Sequence, residues 1–202
     1  MKVKNIIFDF DGVIADSFDF HHENLNSLFP ELKLNKQTYS DIHKGNIFND
    51  EKADWGAVDF PRYDKFLNEK MHDANLIKQE TVNYIRGLNT KNFVVSSGSE
   101  QSIKNTIGEA KLLEYFVEIM GHETHKSKVV KFSKIFSEHS CLPEETLFVT
   151  DTLGDVLEAH EVRLKTIAVT FGFHDRQTLE HGKPWKIVDS ISELDSVIRE
   201  LL

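Results

Sequence analysis

Short apolar runs alternate with longer amphipathic stretches along the chain. Val3 to Phe8 is a compact, β-rich run stopped by Asp9-Phe10-Asp11-Gly12, which predicts a buried strand ending in a glycine turn. Phe93-Val94-Val95 followed by Ser96-Ser97-Gly98-Ser99 repeats that pattern, as do Leu147-Phe148-Val149 before Thr150-Asp151 and the run from Thr166 to Thr170. Between these runs, Val82, Ile85 and Leu88, and then Val129, Val130, Ile135 and Phe136, fall at helical spacing. Strands alternating with helices predict an α/β fold built on a parallel sheet with right-handed crossovers. Such sheets bind ligands beyond the carboxyl ends of their strands, and this chain carries its Asp, Ser and Thr residues at those ends.

The stretch from Asp16 to Lys78 breaks the alternation. It is rich in helix formers, histidine and acids, holds no strong strand pattern, and is far longer than a crossover requires. It reads as a helical insertion placed over the strand ends (16–78), leaving 1–15 and 79–202 as the two pieces of the core. The 202 residues are enough for one domain with such a subdomain, and 40% hydrophobic with 28% charged content excludes a disordered or fibrous chain. No apolar run approaches the roughly 20 residues of a membrane helix, so neither a membrane span nor a secretory signal is expected. The single cysteine, Cys141, forms no internal disulfide, which fits a reducing compartment and a cytoplasmic location. A net charge of −9 repels nucleic acid and anionic lipid, so a small molecule is the expected partner. An anionic substrate then requires a local device, such as a metal, a lysine or a helix N-terminus. The sequence leaves the oligomeric state open.

Asp9 and Asp11, two apart at a strand end, leave the same side of the backbone, and like charges that close need a cation or a shared proton. Asp-x-Asp-Gly also opens calcium loops, but position 12 of such a loop would be Phe20 rather than a glutamate. The other strand ends supply the complement: a hydroxyl at Ser96, a cation at Lys126 and a second acidic pair at Asp151 and Asp155. That set suits phosphoryl transfer, which needs a nucleophile, charge neutralisation on the equatorial oxygens and an acid for the leaving group.

The ordered motifs Asp9-Phe10-Asp11-Gly12-Val13-Ile14-Ala15-Asp16-Ser17, Phe93-Val94-Val95-Ser96-Ser97-Gly98, Lys126, and Phe148-Val149-Thr150-Asp151-Thr152-Leu153-Gly154-Asp155 resemble the haloacid dehalogenase superfamily over almost the whole chain. The resemblance implies a Rossmann-like core with a helical cap. It implies Asp9 as nucleophile, forming an aspartyl phosphate, and Asp11 as general acid and base with a raised pKa. It implies Mg²⁺ between the Asp9 carboxylate, the Asp11 carbonyl and Asp151. Ser96, with the N–H groups of Ser97 and Gly98, would bind phosphoryl oxygens, Ser97 being the competing assignment. Lys126 would neutralise the transferring group, with Lys128 as its rival because Ser127 replaces the usual following proline. Asp155 would orient the lysine or a metal-bound water. The superfamily's dehalogenase branch typically lacks the second aspartate, so Asp11 favours a phosphatase acting on a small phosphorylated metabolite.

His21 and the segment His43-Lys44-Gly45-Asn46 resemble features of the sugar phosphomutase branch, so His21, Lys44 and Gly45 are candidate substrate-binding residues and a phosphomutase is the alternative. A non-catalytic phosphate-ligand binding protein on the same scaffold is the alternative of another class. His122-Glu123-x-His125 could suggest a transition-metal site but lacks a third partner at a recognised spacing, so a solvated loop is expected. Trp55, Phe60 and Tyr63 are expected to pack the cap, and Phe171, Phe173, Leu179 and Ile187 to pack the last strand and helix.

Overall fold

The computed structural model describes residues 2–49 and 58–202. Its core is a six-stranded, wholly parallel sheet in the order β3-β2-β1-β4-β5-β6, with β1 Asn5–Phe8, β2 Lys91–Val95, β3 Glu118–Met120, β4 Thr146–Thr150, β5 Lys165–Val169 and β6 Lys186–Val188. The chain runs outward from β1 to β3, returns to place β4 on the other side of β1, and runs outward again to β6. The order therefore reverses between β1 and β4, whose facing partners include Phe8 and Val149, and the ends of these two strands form the switch-point crevice where ligands bind.

Side-chain alternation explains why these runs are strands buried on both faces. Ile6, Phe8, Val94, Leu147, Val149 and Ile167 enter one apolar cluster. Ile7, Phe93, Val95 and Phe148 point the other way, against Phe132, Ile135 and Ala159. The latter three lie on helices α6 (Lys128–Glu138) and α7 (Leu153–Glu161). The opposite face is covered by α4 (Gln79–Arg86), α5 (Glu100–Glu109) and the C-terminal α9 (Ile191–Arg199), with Val82, Ile85, Ile103, Ile107, Leu194 and Ile198 packed inward. A short α8 (Arg176–Glu180) puts Leu179 against Val156 and Ala168, with Ile187 beside them, so both residues pack the end of the fold as expected.

Between β1 and α4 the described residues form α1 (Phe18–Leu28), α2 (Lys36–Asp41), α3 (Phe60–Lys70) and short 3₁₀ turns, with no strand among them. Asn35 and Asp59 cap α2 and α3 by accepting the N–H groups of Thr38 and Arg62. Leu25, Phe29, Tyr39, Tyr63 and Leu67 join the same apolar cluster as the sheet residues Phe8 and Val94, so these helices pack continuously onto the core. No described helix is long and apolar enough to cross a membrane.

Two details differ from the sequence expectation. The three-residue edge strands β3 and β6 carry too short a pattern to be seen, and the helix expected to include Leu88 ends at Arg86, where Gly87 donates back to Asn83 and Tyr84.

Candidate active site

Asp9 follows β1 directly and is 5% exposed. Its Oδ1 accepts from the Phe10 N–H at 2.7 Å and its Oδ2 lies 2.8 Å from Lys128 Nζ. The chain then turns sharply: the Phe10 carbonyl accepts from Ile14 and Ala15, and Gly12 adopts φ +73°. That left-handed conformation favours glycine, and an added Cβ would stand 1.9 Å from Asp151 Oδ2. We expect Gly12→Ala to cost about 1–3 kcal/mol from backbone strain alone, measured by denaturant unfolding.

Asp11 emerges from this turn half-buried and heavily partnered. Its Oδ1 accepts from the Ser17 hydroxyl at 2.6 Å and from His21 Nε2 at 2.9 Å, and its Oδ2 lies 3.5 Å from Ser96 Oγ. A carboxylate only accepts, so a His21 ring proton faces it from Nε2, and Nδ1 lies 2.7 Å from the Tyr63 hydroxyl. Burial would raise the Asp11 carboxyl, but the charge and hydrogen bond of His21 and the Ser17 hydroxyl outweigh it and hold the group below its usual value. The raised pKa expected from the sequence is thus reversed, because α1 and its N-cap residue bring two donors to one oxygen.

The lysine is the second correction. Lys126 is exposed and its ammonium stands 5.3 Å from the centre of the Phe48 ring, outside the carboxylate cluster. Lys128, the first residue of α6, is buried and reaches Asp9 Oδ2 at 2.8 Å and Asp155 Oδ2 at 2.6 Å. The reason is local: the Ser127 hydroxyl and the Lys128 N–H both donate to Glu158 of α7 at 3.0 Å, which pins the start of α6 and turns Lys128 inward. Both carboxylates keep its ammonium protonated despite burial. Asp155 also accepts from Thr150 Oγ1 at 2.6 Å and is pulled down to about 2, the Lys128 charge overcoming burial. Asp155 accordingly orients Lys128 rather than Lys126.

Ser96 follows β2 with its Oγ accepting the Gly98 N–H at 2.9 Å, which orients the hydroxyl and leaves its proton to donate toward the Asp11 side of the site, 3.5 Å from Oδ2. Ser97 and Gly98 line the cavity above the carboxylates, and Ser99 stands at the N-cap position of α5 with its hydroxyl turned to Glu123. Beneath this loop the buried Lys131 ammonium donates to the carbonyls of Ser96 and Gly121; burial and the nearby Lys128 push it down to about 8.

Asp151 follows β4 and is fully buried. Its Oδ2 accepts from the Phe173 N–H at 2.7 Å, whereas its Oδ1 has no hydrogen-bond partner. Gly12 and Gly172 wall the carboxylate so closely that a Cβ at Gly172 would lie 2.3 Å from Oδ2. Burial raises the Asp151 carboxyl to about 8, and burial with the neighbouring Asp155 and Asp151 charges raises Asp9 against the pull of Lys128. An unpartnered buried carboxylate oxygen beside a second carboxylate is the donor chemistry of a hard divalent cation.

Above these residues lies a cavity of about 120 Å³, roofed by α1, α2, α3 and the segment 45–48. His21, Tyr63 and Phe60 line it, so the latter two do more than pack helices. Phe173 also faces it, contrary to the expectation of packing alone, while Trp55 lies outside the described residues. Gly45 lines the cavity and rests against Gly154, where an added Cβ would meet the Gly45 carbonyl oxygen at 2.3 Å. Lys44 turns away, its ammonium 2.7 Å from Asp41, so the structure does not bring it to the site as a substrate ligand. The His122-Glu123-x-His125 residues do not close on one point: His122 faces Asp64 of α3 and lies 4.0 Å from Glu123, which accepts from Ser99 and Glu100, while His125 accepts from the Ser127 N–H.

Residues 6–169 match the model of the haloacid dehalogenase-like hydrolases. Among curated relatives, the pyrophosphatase PpaX of Bacillus cereus is 26% identical over 215 residues, covering 100% of this chain and 99% of its own. The phosphoglycolate phosphatase of Photobacterium profundum is 22% identical over 220 residues, covering 98% and 96%. Among solved structures, a predicted phosphatase from Clostridium acetobutylicum superposes with a TM-score of 0.81 at 21% identity over the full length of both chains. The chain belongs to the haloacid dehalogenase-like hydrolase family.

Proposed function

We propose that the protein is a Mg²⁺-dependent phosphatase that hydrolyses a small phosphorylated metabolite through a phosphorylated Asp9. The observation that carries this reading is Asp11, a second carboxylate beside Asp9, oriented by Ser17 and His21 and opening into the cavity. A leaving alkoxide needs a proton, which a halide does not. The names of the relatives, a pyrophosphatase and a phosphoglycolate phosphatase, support cleavage of a phosphoryl oxygen bond.

In this reading the Asp9 carboxylate attacks phosphorus, the bond to the leaving oxygen breaks, and that oxygen takes the proton held between Asp11 and His21. Water then attacks the phosphorus of phospho-Asp9 and gives its proton to Asp11, releasing phosphate and restoring Asp9. Lys128 offsets charge on the transferring group, and residues 16–78 act as the lid that excludes water. Asp9, Asp151 and the Asp11 carbonyl would hold Mg²⁺, which screens the acidic cluster from an anionic substrate and polarises the phosphoryl oxygens. A sugar phosphomutase must grip a second phosphate, and the engagement of Lys44 with Asp41 favours hydrolysis instead.

The test is phosphate release from a panel of phosphate monoesters with Mg²⁺ or EDTA. Stoichiometric release with Mg²⁺ and none with EDTA is expected; substrate isomerisation without net phosphate would contradict the reading. Metal binding is checked separately by thermal unfolding. Mg²⁺ should raise the melting temperature, by the equivalent of about 2.7 kcal/mol at a hundredfold excess over Kd, and Asp151→Asn should abolish that response. Since the Asp151 carboxyl sits at about 8 and must lose its proton to bind, the Mg²⁺ response should weaken as pH falls below that value.

A further inference from the structure

We propose that the leaving group is a compact alcohol carrying no second anionic group, and that Asp64 on α3 enforces this selection; the proposal deepens the phosphatase reading and rests on it. The phosphoryl end of the cavity is defined by Asp9, Asp11 and Lys128, so the leaving group must occupy the part walled by the cap helices and by the loop after β3. That part presents apolar surface from Leu25, Phe48 and Leu67, together with the Asp64 carboxylate and the His122 imidazole.

The charge balance there is negative. His122 Nε2 lies 3.3 Å from Asp64 Oδ2 and 4.0 Å from Glu123 Oε1, so even a protonated imidazole is outnumbered by its two carboxylates. Glu158 lines the cavity as well. Among the described residues, the one lysine in the cavity wall, Lys128, is paired with Asp9 and Asp155; Lys44, paired with Asp41, and Lys126, exposed against the Phe48 ring, do not line it. His43 is neutral at physiological pH, since burial pushes it down to about 4. A carboxylate or second phosphate on the leaving group would be desolvated against acids with no unpaired lysine or arginine among the described residues of the cavity wall to receive it. The volume sets the size: about 120 Å³ is below the ~150 Å³ of engineered cavities that admit benzene.

The experiment compares kcat/KM for ethyl phosphate and glycerol 1-phosphate with that for 2-phosphoglycolate and pyrophosphate, in the native protein and in Asp64→Asn, an isosteric change that keeps a hydrogen-bonding group opposite His122. We expect the uncharged esters to be favoured by about tenfold or more, and Asp64→Asn to reduce that ratio severalfold by improving the anionic substrates. Phosphate release with 2-phosphoglycolate or pyrophosphate preferred overturns the inference and leaves the phosphatase reading standing. A preference for uncharged esters that Asp64→Asn leaves unchanged overturns the role of Asp64. No release from any ester overturns the phosphatase reading and the inference with it. If the variant does not fold, the native ratio alone still decides the substrate class.

Discussion

Replacing Lys128 by methionine should abolish activity and destabilise the protein, whereas Lys126→Met should leave both nearly unchanged. Lys128 is buried between the carboxylates of Asp9 and Asp155, and its loss leaves two buried acids without their cation. Breaking a buried ion pair from one side costs about 3–5 kcal/mol, which for a chain of this size lowers the melting temperature by roughly 6–20 °C. Lys126 is exposed and contacts the Phe48 ring, an interaction worth about 0.5–1 kcal/mol at such a site. Thermal unfolding with phosphate-release assays on both variants makes the comparison, and equal effects at the two positions would contradict the assignment. Added Mg²⁺ should recover part of the stability of Lys128→Met, since its proposed site shares the Asp9 carboxylate with Lys128, without recovering turnover.

Asp9→Asn should lower kcat by roughly 10⁴ or more, the scale seen when a covalent nucleophile is removed. The amide matches the carboxylate in shape and can still accept the Phe10 N–H through its oxygen, so the fold should persist. Stability should not fall in step with activity. Burial and the neighbouring acids raise the Asp9 carboxyl, so removing one charge from the cluster relieves repulsion even as it forfeits part of the Lys128 interaction. A melting temperature within a few degrees of native with no detectable turnover separates a chemical role from a structural one. Substantial residual turnover would show that another group carries the attack.

How much of this was legible in the sequence follows from what each feature depends on. The strands β1, β2, β4 and β5 are buried on both faces, so they read as unbroken apolar runs, and the polar residues that stop them mark the crevice. Asp9 and Asp151 meet because β1 and β4 are parallel neighbours in register, a consequence of strand order that local pattern foreshadows through the matching strand ends. The strands β3 and β6 are three-residue edges with Glu118 and Lys186 exposed or half-exposed at their starts, too short for periodicity to register. The choice between Lys126 and Lys128 turns on where α6 begins. That point is fixed by Glu158, a residue 30 positions from Lys128 whose contact no local motif encodes. The direction of the Asp11 shift was equally hidden. Inferring it from a catalytic role predicts a rise, but the fall comes from His21 of α1 and Ser17 at its N-cap, which meet on one carboxylate oxygen. Tyr63 and Phe173 look like core aromatics in sequence; only the packing of α3 and of the turn after β5 shows one holding His21 and the other donating its N–H to Asp151.

The central claim is that Asp9 carries the phosphoryl group. It is tested most directly by quenching a reaction with a turned-over ester in acid and mapping phosphorylation by peptide mass spectrometry. The account predicts a hydroxylamine-sensitive phosphoryl group on the peptide containing Asp9, absent in Asp9→Asn and absent when EDTA is present. Rapid phosphate release with Asp9 unmodified at every quench time, or a phosphoryl group on another residue, would contradict it.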